Sequence, residues 1–287
     1  MTSPPSLRLP APAKLNLFLH ITGRRADGYH LLESVFVPIS LADTITLTRR
    51  DDGMIRLVDG PKDLDPATEL SCRSATALQQ ASGCRFGVDI RIEKRIPQGA
   101  GLGGGSSDAA TTLLGLNRLW RLDRERAELQ AVGAKLGADI PFFVFGLPAL
   151  ARGVGEHLLS ISLPSTDYVV AFPGTGLATA GVFADAALKR DTAASPVDVF
   201  TPSYGRNDLQ QVAARLQPRI AELCAAFVHA GATPRMTGSG ACVFAGTTDG
   251  VSARKLADRL AARSWQSWAV RSIARHPLFG FANGATI

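Results

Sequence analysis

Five of the seven residues from 99 to 105 are glycine, and the run stands between two periodic segments of opposite kind. Upstream, Val88 to Glu93 alternates apolar and charged residues, the period of a strand with one wet face. Downstream, Ala109, Leu113, Leu116 and Trp120 recur at helical spacing over Asp108 to Trp120. The chain is therefore expected to run strand, glycine loop, helix. Glycine loses more backbone freedom on folding than any other residue, so spending five on a plain turn would be costly. What they permit is close approach of backbone amides to a ligand. A helix N-terminus adds unsatisfied N–H groups and the positive end of a dipole, and both favour phosphate. Ser106 and Ser107 add hydroxyl donors, and either is also suited to cap the helix.

Other glycine-rich readings fit less well. Gly99, Gly101 and Gly104 satisfy a GxGxxG dinucleotide pattern, with Asp123 near the offset of a ribose contact. That fold needs a parallel strand soon afterwards, whereas Arg124 to Leu136 reads as a second amphipathic helix through Leu129, Val132 and Leu136. No Gly-Lys-Ser or Gly-Lys-Thr of a Walker A loop occurs, and no HRD or DFG triplet of a protein kinase.

Elsewhere Thr44 to Thr48 alternates around Ile45 and Leu47, and this segment and Val88 to Glu93 both read as antiparallel rather than buried parallel strands. Ser160 to Asp167 is polar and contains Pro164, so a boundary there divides the chain into residues 1–162 and 163–287. After it come a strand over Tyr168 to Phe172 and one helical period through Leu209, Val212, Leu216, Ile220, Leu223 and Phe227. A turn at Gly231, strands flanking Gly238-Ser-Gly240, a helix from Val251 to about Ala262 and a strand over Val270 to Ile273 follow. The segregation of strands and helices predicts α+β layers in both halves.

The 287 residues are 46% hydrophobic and 20% charged, which excludes disorder and suffices for a core. Cys72, Cys84, Cys224 and Cys242 lie far apart without a CxxC pair, so neither a disulfide framework nor a zinc ribbon is indicated. The net charge of +6 comes from 31 basic residues dispersed among 25 acids, the pattern of a solvated surface rather than a nucleic-acid binder. Met1 to Pro12 lacks the apolar core of a signal peptide, and no apolar run approaches a membrane span. A cytoplasmic protein without membrane or nucleic-acid partners is expected.

Three segments resemble, in order and spacing, the three motifs of the GHMP small-molecule kinases. They are Pro12-Ala-Lys-Leu-Asn16, Pro97 to Ala110 and Thr237-Gly-Ser-Gly-Ala241. Gly23-Arg-Arg-Ala-Asp-Gly-Tyr-His30, Gly137-Ala-Asp-Ile-Pro141, Gly153-Val-Gly-Glu156 and Asn207-Asp-Leu209 resemble the branch acting on a cytidine-diphosphate-linked methylerythritol. The resemblance implies two α+β domains, the first like the second domain of ribosomal S5 and the second ferredoxin-like. It also implies ATP as co-substrate with Mg2+ accompanying the nucleotide, and phosphorylation of the 2-hydroxyl of that alcohol. Lys14 and Asp139 are its implied catalytic pair. Phosphates are expected on Pro97, Gln98, Gly99, Ala100, Gly101, Leu102, Gly103, Gly104, Gly105, Ser106 and Ser107. The substrate is expected on Asn16, Tyr29, His30, Thr179 and Phe183, with the rings of Tyr29 and Phe183 sandwiching cytosine. Thr237 to Ala241 is expected to pack beside the phosphate loop, and Asp108 to cap the helix or order water around magnesium. Two departures stand out: Gln210 replaces the usual Glu after Asn-Asp-Leu, and Ala67-Thr-Glu-Leu70 lacks the usual Asn-Leu. Rival readings are a GHMP kinase for another small alcohol such as homoserine or mevalonate, a nicotinamide-dependent oxidoreductase, and a nucleotide-binding module without catalysis.

Overall fold

The computed structural model describes residues 4–61, 65, 67–195 and 204–283. It opens with two long strands, β1 (Ser6–Arg24) and β2 (His30–Arg50), paired antiparallel through nearly their whole length. Every residue of β1 from Ala11 to Ile21 is buried, so this strand lacks the alternation that would have revealed it. β3 (Ile55–Asp59), α1 (Leu70–Ser82) and β4 (Gly87–Glu93) follow as a crossover unit. β4 pairs antiparallel with β2, in keeping with its reading as an antiparallel strand, but it also pairs parallel with β3. That second pairing corrects an all-antiparallel expectation: α1 carries the chain back across the sheet, which a short hairpin does not do.

The glycine loop leads into α2 (Gly104–Leu119), followed by α3 (Arg126–Ala134), α4 (Ile140–Phe145), β5 (Ala149–Arg152) and β6 (His157–Ser160). β1 occupies one edge of β2, while β4 and the β5–β6 hairpin share the other, giving a six-stranded sheet. α2 packs on β1 and β2 with α1 and α4 beside it.

The second sheet starts with β7 (Asp167–Phe172) and continues through α5 (Thr179–Ala184), α6 (Gln210–Leu216), α7 (Pro218–His229), β8 (Arg235–Met236), β9 (Val243–Thr247), α8 (Gly250–Ala261) and β10 (Gln266–Arg271). Its strand order β10-β7-β9-β8 is wholly antiparallel. Numbered from its own start the order is 4-1-3-2 with helices between the outer crossovers, the split βαβ arrangement of a ferredoxin-like layer. The single helical period from Leu209 to Phe227 is broken into α6 and α7 at Pro218, which has no N–H to continue the first helix and opens the second. The last strand ends at Arg271, and the tail returns to the first sheet, where Leu278 and Ala282 enter its core. No described helix is long and apolar enough to cross a membrane.

One apolar cluster joins Ala13, Leu15, Leu17 and Ile21 of β1 to Val169 of β7, Val243 of β9 and Phe227 of α7. The halves therefore share a core. Phe227→Ala is expected to cost about 3 to 5 kcal/mol and to lower a single thermal transition of the whole chain. Two resolved transitions, with only one shifted, would contradict the shared core.

Candidate active site

The loop and the turn of the third motif meet backbone to backbone. Gly99, Gly101 and Gly103 hold φ of 62°, 74° and 71°, left-handed values that L side chains rarely adopt. A Cβ at Gly101 would lie 2.2 Å from the Thr237 carbonyl oxygen, and one at Gly238 would lie 2.7 Å from the Gly101 oxygen. The loop's carbonyls are taken by protein donors: Leu177 N on Gly99 (3.1 Å), Cys242 N on Ala100 (3.0 Å) and Lys14 N on Leu102 (3.0 Å). Their negative ends are thus held away from a ligand, a polarity suited to an anion.

Gly103 is the N-cap of α2, and no side chain caps the helix. The expected serine cap is therefore corrected. Ser106 and Ser107 fall inside the first turn, and the Ser107 hydroxyl donates to the Pro12 carbonyl at 2.7 Å, stitching the helix to β1. Gly103 also brings the loop against the catalytic candidate, because a Cβ there would be 3.2 Å from Lys14 Cγ.

Lys14 and Asp139, 125 positions apart, face one another with Nζ 3.6 Å from Oδ2. The lysine side chain is 4% exposed and the aspartate 34%, so the carboxylate opens to solvent while the ammonium does not. Lys14 Nζ also donates to Asn16 Oδ1 at 2.5 Å and lies 5.0 Å from the centroid of Phe36. Asn16 Nδ2 donates to Ser34 Oγ at 2.8 Å, and its amide donates to Thr237 Oγ1 at 2.9 Å. Register shifts in β1 between Pro12 and Lys14 and between Asn16 and Leu19 flank both residues, the usual device for re-aiming a strand's side chains. Asp139 precedes α4 at its N-cap position but makes no side-chain cap bond, which leaves its oxygens free for other partners.

The residues expected at the nucleoside end are only partly brought together. His30 and Phe183 have ring centroids 5.1 Å apart at 39°. Tyr29 stands 64% exposed, without a ring contact among the described residues, so the Tyr29–Phe183 pair does not meet in this structure. Thr179 Oγ1 lies 2.7 Å from Ser239 Oγ, beside the third motif.

The GHMP kinases N terminal domain family matches residues 69–147, and the GHMP kinases C terminal family matches residues 190–265. The 4-diphosphocytidyl-2-C-methyl-D-erythritol kinase of Cupriavidus necator is 48% identical over 97% of both chains, and that of Ralstonia pickettii 47% identical over 98% of this chain and 99% of its own. The chain belongs to the GHMP kinases, in the 4-diphosphocytidyl-2-C-methyl-D-erythritol kinase branch. A crystal structure of a 4-(cytidine 5'-diphospho)-2C-methyl-D-erythritol kinase superposes with a TM-score of 0.79 at 38% identity, covering 93% of this chain and 99% of that one. Mevalonate kinase from L. major, at 14% identity, TM-score 0.67 and coverage of 96% and 98%, shares the fold.

In this GHMP kinase the motif Asn207-Asp-Leu209 proves to be scaffolding. Asn207 Nδ2 donates to the carbonyls of Met236 and Gly238, both at 2.8 Å, and so holds the third-motif turn. Asp208 Oδ2 accepts from Ile21 N at 2.9 Å and Thr192 Oγ1 at 2.7 Å, tying β1 to the segment before α6. Gln210, the departure from Glu, keeps an acceptor where one is used, its Oε1 receiving Met236 N at 2.9 Å. Glu69, the other departure, is the N-cap of α1 and accepts Cys72 N at 2.8 Å.

Sequence reasoning missed Asp43, Lys94 and Ser34, isolated polar residues inside strands or beside them, whose partners are remote in sequence. Lys94 Nζ donates to Asp43 Oδ2 at 2.5 Å and to Asp108 Oδ2 at 2.7 Å. The cap expected of Asp108 falls to Gly103, since Asp108 lies buried in α2 with Oδ1 lacking a partner among the described residues. Burial pushes its carboxyl up to about 8, against the Lys94 ammonium and reinforced by the charge of Asp43.

Two outcomes follow from this geometry. Gly101→Ala is expected to cost at least about 1 to 3 kcal/mol in backbone strain and to weaken thermal protection by ATP. Wild-type melting and protection in that variant would show that the loop–turn contact yields. Asp108 retains a proton in the fold up to about pH 8 that the unfolded chain, at the ordinary value of 3.8, releases. Its contribution to stability is full below pH 3.8 and is lost as pH rises through about 8. The melting temperature of Asp108→Asn relative to wild type should therefore rise between pH 5 and pH 8, and a fall over that window would refute the assignment.

Proposed function

We propose that this GHMP kinase transfers the γ-phosphoryl group of ATP to the 2-hydroxyl of 4-diphosphocytidyl-2-C-methyl-D-erythritol, releasing ADP and the 2-phosphate. The observation that carries the chemistry is the buried Lys14 ammonium 3.6 Å from the half-open Asp139 carboxylate, beside a loop whose carbonyls are turned away. The relatives' names supply the substrate.

An alcohol is a poor nucleophile until its proton has somewhere to go. Asp139, with no cap bond, is placed to accept it as the substrate oxygen bonds to the γ-phosphorus. The bond from that phosphorus to the bridging oxygen then breaks and its electron pair leaves on ADP. Lys14 cannot retreat into solvent, so its charge stays fixed near the oxygens that become more negative. Asn16 and Thr237 hold Lys14 in place and keep the substrate's side of the cleft polar.

Magnesium supplies charge neutralisation on the phosphates. Carried on a nucleotide it needs only one or two protein oxygens. The Ser106 hydroxyl, 4.0 Å from where a side chain at Gly137 would begin, is a donor of the right hard-oxygen type. In the division proposed here residues 1–162 bring the phosphate loop and the catalytic pair, and residues 163–287 close the cleft with Thr179 and Phe183. Tyr29, exposed and next to His30 in the chain, is open to the nucleoside as the remaining face of the cytosine site.

Asp139→Asn is expected to lower kcat by about 10²- to 10⁴-fold with its fold and ATP protection intact. ADP release, followed with and without the cytidine-linked alcohol, checks this. A folded variant with near-wild-type turnover would remove Asp139 as the base. ADP release by the wild type that is independent of the alcohol would remove the substrate.

A further inference from the structure

Arg190 lies just after α5 and was not singled out by any motif. Its guanidinium makes four hydrogen bonds: Nε to His30 Nε2 (2.9 Å), Nη1 to the Leu188 carbonyl (2.9 Å), and Nη2 to the carbonyls of Phe183 (3.1 Å) and Asp185 (2.8 Å). One planar group thus links the start of β2 to the end of α5, across the ring pair of His30 and Phe183. A guanidinium donates only and does not lose its proton. The nitrogen it addresses on His30 must therefore offer a lone pair, and the neutral ring must carry its proton on Nδ1.

We propose that Arg190 is a positioning residue for pyrimidine recognition, fixing His30 as the Nδ1–H tautomer and setting the Phe183 ring beside it. The proposal rests on the assignment of His30 and Phe183 to the cytidine end of the substrate. With Nε2 occupied, the imidazole presents a single directed donor, and a pyrimidine base displays the ring-nitrogen and carbonyl acceptors that suit it. Holding the Phe183 carbonyl fixes the backbone from which the stacking ring projects. An unanchored imidazole would sample both tautomers and lose the donor part of the time.

The charges facing His30 also have one sign. Arg190 approaches from the segment after α5 and Arg24 from the end of β1, and, after burial, both disfavour the imidazolium and lower its pKa. A protonated His30 could not accept from Arg190, so a lost clamp should show as a new pH dependence of substrate binding.

Steady-state kinetics of the wild type, Arg190→Lys, Arg190→Ala and Phe183→Ala, with ATP and the cytidine-linked alcohol, test this. Both Arg190 variants are expected to raise KM for the alcohol about tenfold with kcat within about twofold. Their KM should climb further below about pH 6.5, where the wild type stays flat. Lysine keeps the charge but cannot form the fork, so Arg190→Lys decides the matter should the alanine variant not fold. A purely structural role would reduce the active fraction, and hence kcat, without moving the pH profile. Unchanged KM and profile in a folded Arg190 variant, with KM raised in Phe183→Ala, would overturn the proposal and leave the base site standing. Unchanged KM in Phe183→Ala would overturn the base-site assignment and this proposal together.

Discussion

The contact between Gly101 and the Thr237–Gly238 turn is the constraint on which the site depends. Two backbones separated by 136 residues approach where neither has room for a Cβ. Because the loop's next carbonyl, that of Leu102, accepts from Lys14, the loop is held between the third motif and β1. Asn207 fixes the turn from behind and the Thr237 hydroxyl receives the Asn16 amide. The glycine loop, the lysine and the ferredoxin-like layer are therefore one connected object. A displacement of the loop would have to break backbone bonds at both ends.

How much of this could be read from the chain depends on the distance over which each feature is decided. The strand, glycine loop and α2 are local, and periodicity with the glycine run was enough to see them. The break at Pro218 is also local, but the apolar spacing continues across it, and the period concealed what the proline required. β1 was illegible for the opposite reason: buried continuously from Ala11 to Ile21, it has no alternation to read. The α2 cap was misassigned because a serine hydroxyl suits either a cap or a tertiary bond, and Ser107 is spent on Pro12. Lys14 and Asp139 carry no local signal at all, and only their likeness to known motifs singled them out before the fold brought them together.

Two lysines flank the start of α2 and illustrate how burial separates structure from chemistry. Lys94 is shared between Asp43 and Asp108, the first of them fully buried and the second nearly so. Its charge is balanced by Asp43 while its bond to Asp108 holds the helix to β2, and removing Asp43 would leave an uncompensated buried charge. Lys14 is buried more deeply still, yet its anionic partner is 3.6 Å away and a third exposed. That longer, wetter pairing leaves the ammonium available to a developing charge. The distinction is one of partner geometry, since both residues are lysines at the edge of the same glycine loop.

In the proposed function, the β1–β2 pair connects the reacting end of the cleft, at Lys14, to the nucleoside end, at His30. Lys14 and Asn16 project from β1, Ser34 and Phe36 from the facing register of β2, and His30 begins β2 opposite Arg24. Binding energy gained at a remote group can accelerate a reaction only if the body between the two is stiff enough to hold the reacting atoms in place. Two strands paired almost throughout, with β1 buried against both cores, form such a body. Under the proposed function, contacts made by the nucleoside at His30 bear on Lys14 through the hairpin itself.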